Sequence, residues 1–344
     1  MNQLRRGLDE ALQSGLEAEE ADSILRLEGC PEELLEAAWG ARRRRSGEIR
    51  FYYPLPRFPS ISVTGYRCSL NCEYCRGEYL RQMKPVETPE ELRKLCERLD
   101  KEGATGCLVS GGSTPQGSVP LEGFYDALRW VKQETGLIVN VHTGLVDRHQ
   151  AEQIAATGVD VASLDLIGSG ETIRRVTGLS KHPEDYLESL LLLREEGVPS
   201  VVPHICVGLD WGTIKGEANA LGLLKGFNPE LIVILGLRPT RGTPMESAPA
   251  PKAETIAKVV AVAGLMYPKT SIALGCMRPK QGRAKADVLM LMAGADRIVL
   301  PSAETVKLAE ERGLRLIRLD ACCAVPTRLE GKTLRGSVEE PSAR

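Results

Sequence analysis

The sequence predicts an α/β protein whose core is a (β/α)8 TIM-type barrel, a ring of eight parallel strands with helices outside. Short apolar strands alternate with amphipathic helices from about residue 51 to residue 313. Strands that are apolar throughout are typical of parallel sheets covered by helices. About 260 residues in eight units match the length of such a barrel. A doubly wound open sheet is the alternative fold.

Residues 1–50 are predicted to form a helical extension in front of the barrel. Leucines recur every four residues from Leu4 to Leu16, and a basic run at Arg42–Arg45 marks a helix end. Three prolines between residues 54 and 59 then prevent helix formation, and the first apolar strand begins near Ile61. The predicted domains are therefore the extension over residues 1–50, the barrel over 51–313 and a tail over 314–344.

Seven further strand and helix pairs follow the first pair. The helix of the first pair has a complete start signal, because Thr88 caps it, Pro89 occupies its first turn and Glu91 completes a capping box. In the same helix, Cys96 falls on the buried stripe. The later strands are GCLVSGG, LIVNVHTG, VDVASLDLIG, SVVPHICVG, ELIVILGL, SIALGCM and DRIVLPS, each followed by a helical run.

Composition excludes several classes of function. The net charge of -2 provides no basic field for a phosphate backbone, so no nucleic acid is expected as a partner. No apolar run approaches the roughly 20 residues that span a membrane. The charged N-terminus lacks the apolar core of a signal peptide, so we expect a cytoplasmic protein. Ten cysteines in that reducing compartment indicate that some of them are ligands for a metal or a cluster, while the rest are expected to pack as small buried side chains.

Three cysteines lie close together directly after the first barrel strand, in TGYRCSLNCEYCRG. Cys68, Cys72 and Cys75 are therefore expected at the end of the barrel that carries active sites. Three thiolates can bind three irons of a four-iron, four-sulfur cluster and leave the fourth iron open. The alternatives are a structural zinc site, which would need a fourth ligand nearby, and a chance grouping of buried thiols.

The spacing C-x3-C-x2-C, with the aromatic Tyr74 before the third cysteine, resembles the signature of the radical S-adenosylmethionine (SAM) superfamily. The resemblance implies that the amino and carboxylate groups of SAM chelate the open iron. It also implies that one electron, from a donor such as ferredoxin, breaks the cofactor into a 5'-deoxyadenosyl radical that abstracts a substrate hydrogen. The protein would orient the cofactor and exclude water.

Other positions match the elements of that family one by one. Gly111 and Gly112 match its glycine pair beside the methionine group, and Ser113 stands where that motif has an acidic residue. Asp165 resembles the residue that holds the ribose hydroxyls, and Gly208 falls in a segment that resembles the adenine site. The simpler readings are a tight turn for the glycine pair and a helix cap for Asp165.

Several stretches resemble biotin synthase, including the helical extension and Cys206 in HICVG. The combination of FPSISVTGYRC, SGGSTPQGSVPL and VNVHTGLV is more similar to the biotin-synthase-related branch that includes the second subunit of the archaeal-type, two-protein lipoyl synthase. This resemblance implies a sulfurtransferase that inserts sulfur at an unactivated carbon of a protein-bound octanoyl chain. Its implied partners are a companion radical SAM protein and the lipoylated carrier protein.

In biotin and lipoyl synthases a second, auxiliary iron-sulfur cluster supplies the sulfur, so the resemblance directs attention to further cysteines. The tail contains LRLIRL and then DACCAVP, which can fold over the open end of the barrel, and a polar stretch from Glu330 that we expect to be disordered. Ordinary core packing is the alternative for a cysteine in an apolar strand. The auxiliary-cluster candidates are Cys206, Cys276, Cys322 and Cys323.

Four further side chains near strand ends are candidates for substrate contact or proton transfer. They are His142, His204, Arg238 and Arg278. The alternatives are satisfied buried histidines and arginines paired with loop carboxylates. Two other functions stay open. One is a radical methylation or rearrangement of a small molecule in cofactor biosynthesis, and the other is a non-catalytic iron-sulfur scaffold.

Overall fold

The computed structural model describes residues 7–8 and 15–335. Most of the predicted leucine helix over Leu4–Leu16 lies outside these residues. The helices of the described part are α1 (Ala18–Leu25), α2 (Glu32–Arg45), α3 (Pro89–Lys101), α4 (Tyr125–Glu134), α5 (Arg148–Ala156), α6 (Gly170–Thr172), α7 (Pro183–Glu195), α8 (Glu217–Phe227), α9 (Ala253–Met266), α10 (Arg283–Met292) and α11 (Ala303–Glu311). Short 3-10 turns cover Glu78–Gln82, Glu122–Phe124 and Thr327–Thr333, and a π turn covers Ile173–Thr177.

The strands form one parallel sheet. They are β1 (Glu48–Tyr52), β2 (Ser60–Ser62), β3 (Lys84–Pro85), β4 (Gly106–Ser110), β5 (Ile138–His142), β6 (Val161–Asp165), β7 (Val201–Val207), β8 (Leu231–Gly236), β9 (Ser271–Leu274), β10 (Arg297–Val299) and β11 (Arg315–Leu319). Their order is β11-β1-β10-β9-β8-β7-β6-β5-β4-β2-β3. The sheet is curled and surrounded by helices, and the predicted TIM-type α/β fold is confirmed.

Two features of the sheet were not predicted. Strand β1 belongs to the stretch expected to be a helical extension, yet it lies between β10 and β11, with Tyr52 opposite Val299 and Leu319. The sheet ends at β3 on one side and at β11 on the other. The described residues contain no ladder between those two edges, so the sheet curls round without a hydrogen-bonded seam.

The helical extension packs on the outside of the barrel. Helices α1 and α2 lie against α9, and every residue of α9 from Ile256 to Met266 is buried. Two buried cations hold the extension against the barrel. Arg42 donates from Nε to the carbonyl of Ala295 at 3.1 Å, and Lys258 donates from Nζ to the carbonyl of Leu25 at 3.0 Å. None of the described helices has the length and apolar character that a membrane crossing requires.

The start of α3 follows the predicted capping signal. Thr88 Oγ1 accepts a hydrogen bond from the Glu91 amide, and the Glu91 carboxylate accepts one from the Thr88 amide, each at 3.2 Å. This reciprocal pair satisfies amide groups that the first helical turn leaves free. Cys96 is fully buried in the stripe that faces the sheet.

The segment after β11 closes the amino-terminal end of the barrel. Its residues 321 and 323–325 pack with residues at the starts of the strands, including Ile138, Val161 and Leu231. Arg297 donates to the carbonyls of Cys323 at 3.1 Å and Val325 at 2.6 Å. The expectation that this segment covers the open end is therefore wrong, because its apolar side chains fill the opposite end.

The polar stretch from Glu330 was expected to be disordered, and this is wrong for residues 330–335. Glu330 is only 5% exposed. Its carboxylate accepts hydrogen bonds from Tyr52 Oη at 2.6 Å and from Arg50 Nε at 2.7 Å, and Arg297 Nη2 lies at 3.5 Å. These partners lie in β1 and β10, far from Glu330 in the sequence. No local pattern around Glu330 could therefore predict the contacts. Residues 336–344 lie outside the described part.

Candidate active site

A cavity of about 340 Å³ opens at the carboxyl ends of the barrel strands. The three clustered cysteines, Cys68, Cys72 and Cys75, all line it. They lie on the loop after β2, where the chain turns back on itself. Asn71 and Arg76 adopt left-handed backbone angles, with φ of 51° and 42°, and allow the loop to turn sharply around the thiols.

Backbone contacts hold this loop in place. The Cys75 and Arg76 amides donate to the Cys72 carbonyl at 3.2 and 3.0 Å. The Ser113 amide donates to Cys68 Sγ at 3.3 Å, which links the thiol loop to the glycine pair after β4. A side chain at Gly112 would place its Cβ 2.0 Å from the Arg67 carbonyl and 2.6 Å from Cys68 Cα. The loop therefore fits against the strand end only because residue 112 is glycine.

The thiols differ in acidity. A hydrogen bond from Cys72 lowers the pKa of Cys75 to about 7, against the opposing effect of burial, and the Gly77 amide adds to the lowering. The same hydrogen bond, together with burial, raises the pKa of Cys72. The lowered pKa of Cys75 favours the thiolate form that a metal ligand needs.

The donor set fits an iron-sulfur cluster with three protein ligands. Among the described residues, no three Cys, His, Asp or Glu side chains are arranged to hold a single metal ion. In a four-iron cluster each thiolate binds a different iron, so the sulfur atoms need not converge on one point. Three thiols around one cavity, backed by a residue without a side chain, meet that requirement.

The residues expected around SAM lie on the same cavity, with one exception. Tyr74, Gly111, Gly112, Ser113 and Asp165 line it. Burial and the neighbouring Cys75 raise the pKa of the Tyr74 hydroxyl, so it stays protonated.

Gly208 is the exception, since it is absent from the cavity wall. Its φ is 73° and its amide donates to Glu217 Oε1 at 2.7 Å. Gly216 lines the cavity in its place and packs against Gly168, where an added Cβ would lie 2.6 Å from the Gly168 carbonyl carbon. The sequence has glycines after β6 and after β7, but it does not show that two of them pack against each other. The structure shows this contact.

Two histidines lie next to Asp165 inside the barrel. His142 Nε2 is 3.9 Å from Asp165 Oδ1, and the rings of His142 and His204 meet edge to face with centroids 5.4 Å apart. His142 lines the cavity. Burial lowers the pKa of His204 to about 4, and the nearby His142 adds to the effect. His204 is therefore neutral near pH 7, and its Nδ1–H donates to the Val202 carbonyl at 3.1 Å.

The two candidate arginines have different surroundings. Arg238 lines the cavity. Arg278 is buried and makes a bidentate pair with Asp287 at 3.0 Å for both hydrogen bonds, and it also donates to the carbonyls of Gly275 and Val299 at 2.6 and 2.7 Å. All three guanidinium nitrogens of Arg278 thus donate hydrogen bonds inside the protein. These contacts favour the alternative for Arg278, an arginine paired with a carboxylate inside the protein, over contact with substrate.

The four auxiliary-cluster candidates do not share one site, although Cys276 is close enough to Cys322 and Cys323 to interact with them electrostatically. Cys206 lines the cavity, and Cys276 is exposed just after β9. Cys322 is half-buried with its Sγ 3.8 Å from Asn140 Nδ2, while Cys323 is buried in the floor of the barrel. The described residues thus contain no preformed second site with three such ligands. Of the four, only Cys206 shares the cavity with the clustered thiols.

Comparison with known protein families identifies the class of enzyme domain that contains this site. Residues 62–212, which contain the thiol loop, Asp165 and Cys206, match the family model of the Radical SAM superfamily. These residues therefore form a radical SAM domain. The class implies a four-iron, four-sulfur cluster and SAM as its cofactors, and Cys68, Cys72 and Cys75 are the residues that fit the cluster.

The curated proteins similar to this chain include biotin synthases. The biotin synthase of Prochlorococcus marinus is 27% identical over 276 residues, which cover 77% of this chain and 80% of the relative. That of Allorhizobium ampelinum is 26% identical over 249 residues, covering 69% and 74%.

Solved structures support the fold. Methylornithine synthase (PylB) superposes with a TM-score of 0.65 at 20% identity, covering 90% of this chain and 97% of that chain. The FeFe-hydrogenase maturase HydG from Carboxydothermus hydrogenoformans superposes with a TM-score of 0.68 at 18% identity, covering 95% and 81%. At these identities the likeness concerns the fold alone.

Proposed function

We propose that this enzyme inserts sulfur at an unactivated carbon of a protein-bound octanoyl chain, as one component of a two-protein lipoyl synthase. The observation that carries the proposal is the Cys206 thiol, which faces the same cavity as the three clustered thiols. Sulfur insertion needs a sulfur ligand within reach of the substrate radical. The biotin synthase relatives support the same reaction class, because biotin also contains sulfur added to carbon.

The residues around the cavity have separable tasks. Cys68, Cys72 and Cys75 would hold the cluster, and bound SAM would supply the carbon radical that takes a hydrogen from the substrate. Asp165 is placed to accept hydrogen bonds from a sugar diol, because a carboxylate offers two acceptor oxygens. His142 also lines the cavity, with its Nε2 3.9 Å from Asp165 Oδ1, and adds a second polar group beside this carboxylate.

Apolar side chains form most of the remaining wall. They include Leu70, Leu80 and Met83 from the loop after β2, and Leu235, Leu237 and Met277 from β8 and the loops after β8 and β9. Such a wall excludes water from a radical and offers an alkyl chain a surface without polar partners. An octanoyl chain meets this requirement better than a charged metabolite does.

Cys206 is the residue best placed to hold a sulfur donor beside the substrate, because it lines the cavity, while its own Sγ stays bonded to Cβ. Because the other three candidates do not converge with it, we derive no step through an auxiliary cluster. A test of the source is iron content after anaerobic reconstitution, since one cluster contributes roughly four irons per chain and two contribute roughly eight.

The proposal is tested by incubating the reconstituted enzyme with SAM, reduced ferredoxin, the companion radical protein and an octanoylated carrier domain. The expected result is a carrier product heavier by sulfur, with 5'-deoxyadenosine formed. Cys206→Ala should still form 5'-deoxyadenosine but no sulfur product, whereas Cys96→Ala, which changes a buried thiol in α3, should form both. Sulfur insertion by Cys206→Ala at the normal rate would contradict the proposal.

A second candidate is a biotin-synthase-like reaction on a free small molecule. The identity of the curated relatives favours it. Offering the sulfur-free precursor of biotin in place of the octanoylated carrier separates the two functions. Conversion of the small precursor, with the octanoylated carrier left unchanged, would decide for this second function.

A further inference from the structure

Three loops at the mouth of the cavity share a pattern in which an apolar residue faces inward and a cation follows on the outside. In the loop after β2, Leu80 and Met83 line the cavity. Their immediate neighbours Arg81 and Lys84 are exposed. The loop therefore presents an apolar surface to the cavity and positive charge to solvent.

The loops after β8 and β9 repeat the pattern. Leu237 lines the cavity and is followed by Arg238, at the cavity edge, and by the exposed Arg241. After β9, Met277 lines the cavity and Lys280 is exposed. Because β8 and β9 are paired neighbours in the sheet, their loops lie side by side.

Direct contacts join the three loops into one edge of the mouth. Tyr79 Oη lies 2.7 Å from Thr240 Oγ1 and donates to the Arg238 carbonyl at 3.3 Å, so the β2 and β8 loops touch. The Gly236 amide donates to the Met277 carbonyl at 2.9 Å, which joins the β8 and β9 loops. We call the four cations Lys84, Arg238, Arg241 and Lys280 on these loops the basic edge.

The charges of the basic edge are not neutralised within the protein. None of its four residues has an ion-pair partner in the part of the chain that the structure describes, and the nearby Glu246 carboxylate accepts from the Gly242 amide at 2.9 Å instead. In the loops after β6 and β7, by contrast, Lys215 and Arg175 pair internally. Lys215 contacts Glu171 at 2.7 Å, and Arg175 contacts Asp210 at 3.0 Å.

We propose that the basic edge docks the acidic surface of the carrier protein whose acyl chain enters the cavity. The proposal rests on the proposed function and adds the recognition of its macromolecular substrate. Unpaired cations in water attract an opposite surface and orient it, while their apolar neighbours accept only the uncharged chain. Charge outside and apolar surface inside thus match the two parts of an acylated acidic protein.

The test measures the dissociation constant of a fluorescently labelled octanoylated acidic carrier domain for the full reconstituted enzyme. The double variant Arg241→Glu/Lys280→Glu reverses two charges of the basic edge that do not line the cavity. The matched control, Lys269→Glu/Lys332→Glu, reverses two exposed charges at the opposite end of the barrel. At low salt we expect about a tenfold or larger rise in Kd for the first variant, less than about twofold for the control, and convergence of all three proteins in high salt.

Turnover of a neutral octanoyl peptide separates this proposal from the proposed function. If the peptide is converted and the carrier binds all three proteins equally, the docking proposal is overturned and the function stands. If carrier binding depends on the basic edge while neither the carrier nor the peptide is converted, docking is supported and the function fails. Weakened binding of a single-stranded oligonucleotide, with carrier binding unchanged, would overturn docking in favour of nucleic acid.

Discussion

Replacing Asp287 with alanine tests whether Arg278 is structural. The Asp287 side chain is fully buried and accepts both of its hydrogen bonds from Arg278 at 3.0 Å, and the Arg278 side chain is 4% exposed. Removing one partner of a buried ion pair leaves the other charge without compensation and costs about 3–5 kcal/mol. With an unfolding entropy of about 2.1 cal/mol/K per residue over 344 residues, the loss corresponds to a fall in Tm of about 4–7 °C.

Differential scanning calorimetry of the apoprotein under anaerobic conditions measures this fall. Asp126→Ala is the matched control, because Asp126 also pairs with an arginine but its side chain is 82% exposed. Exposed pairs contribute about 0–1 kcal/mol, so the control should move Tm by less than about 2 °C. A Tm for Asp287→Ala equal to that of the control would refute the reasoning and return Arg278 to the list of substrate contacts.

Three further predictions concern the thiol loop, the barrel interior and the floor. Gly112→Ala should abolish most iron binding on reconstitution, because its Cβ would overlap the Cys68 backbone, whereas Gly123→Ala, which has open space, should bind iron normally in a colorimetric assay. The folded pKa of His204, about 4, lies below the unfolded value near 6.5, so the unfolded chain binds the extra proton between these values. Urea denaturation should show stability falling by up to about 3 kcal/mol as pH drops from 6.5 to 4, and His204→Gln should lose less. Glu330→Ala should lower unfolding free energy by about 3–5 kcal/mol in the same assay, because Arg297 and its neighbours lose their buried partner; a change below about 1 kcal/mol would contradict this account.

The fold was predictable because its signals are local. Apolar strands and amphipathic helices alternate within short windows, and the capping box at Thr88 lies within four residues. The strand β1 was missed for the opposite reason. Its partners β10 and β11 are more than two hundred residues away, and the predicted barrel start at Phe51 falls inside it.

The residues of the candidate site were likewise predictable where their signals are local, and not where they depend on distant contacts. The three clustered cysteines and the glycine pair lie in contiguous motifs, so their placement at one cavity followed from the barrel alone. The place of Cys322 and Cys323 depends on how the chain crosses the barrel after β11, which no local pattern specifies. The role of Arg278 likewise depends on Asp287, because a candidate list by residue type cannot tell whether a guanidinium is already satisfied.

The position of β1 has a consequence for the newly made chain. Its first lasting partner, β10, begins at Arg297, about 245 residues after Tyr52, and at roughly 5–20 residues per second the ribosome needs about 12–50 seconds to supply it. During that interval the amide and carbonyl groups of β1 lack their native hydrogen-bond partners. Unpaired strands of this kind can form hydrogen bonds with other nascent chains. Glu48 and Arg50 place charge on this short strand, and charged side chains are a common protection of unpaired strands against such association.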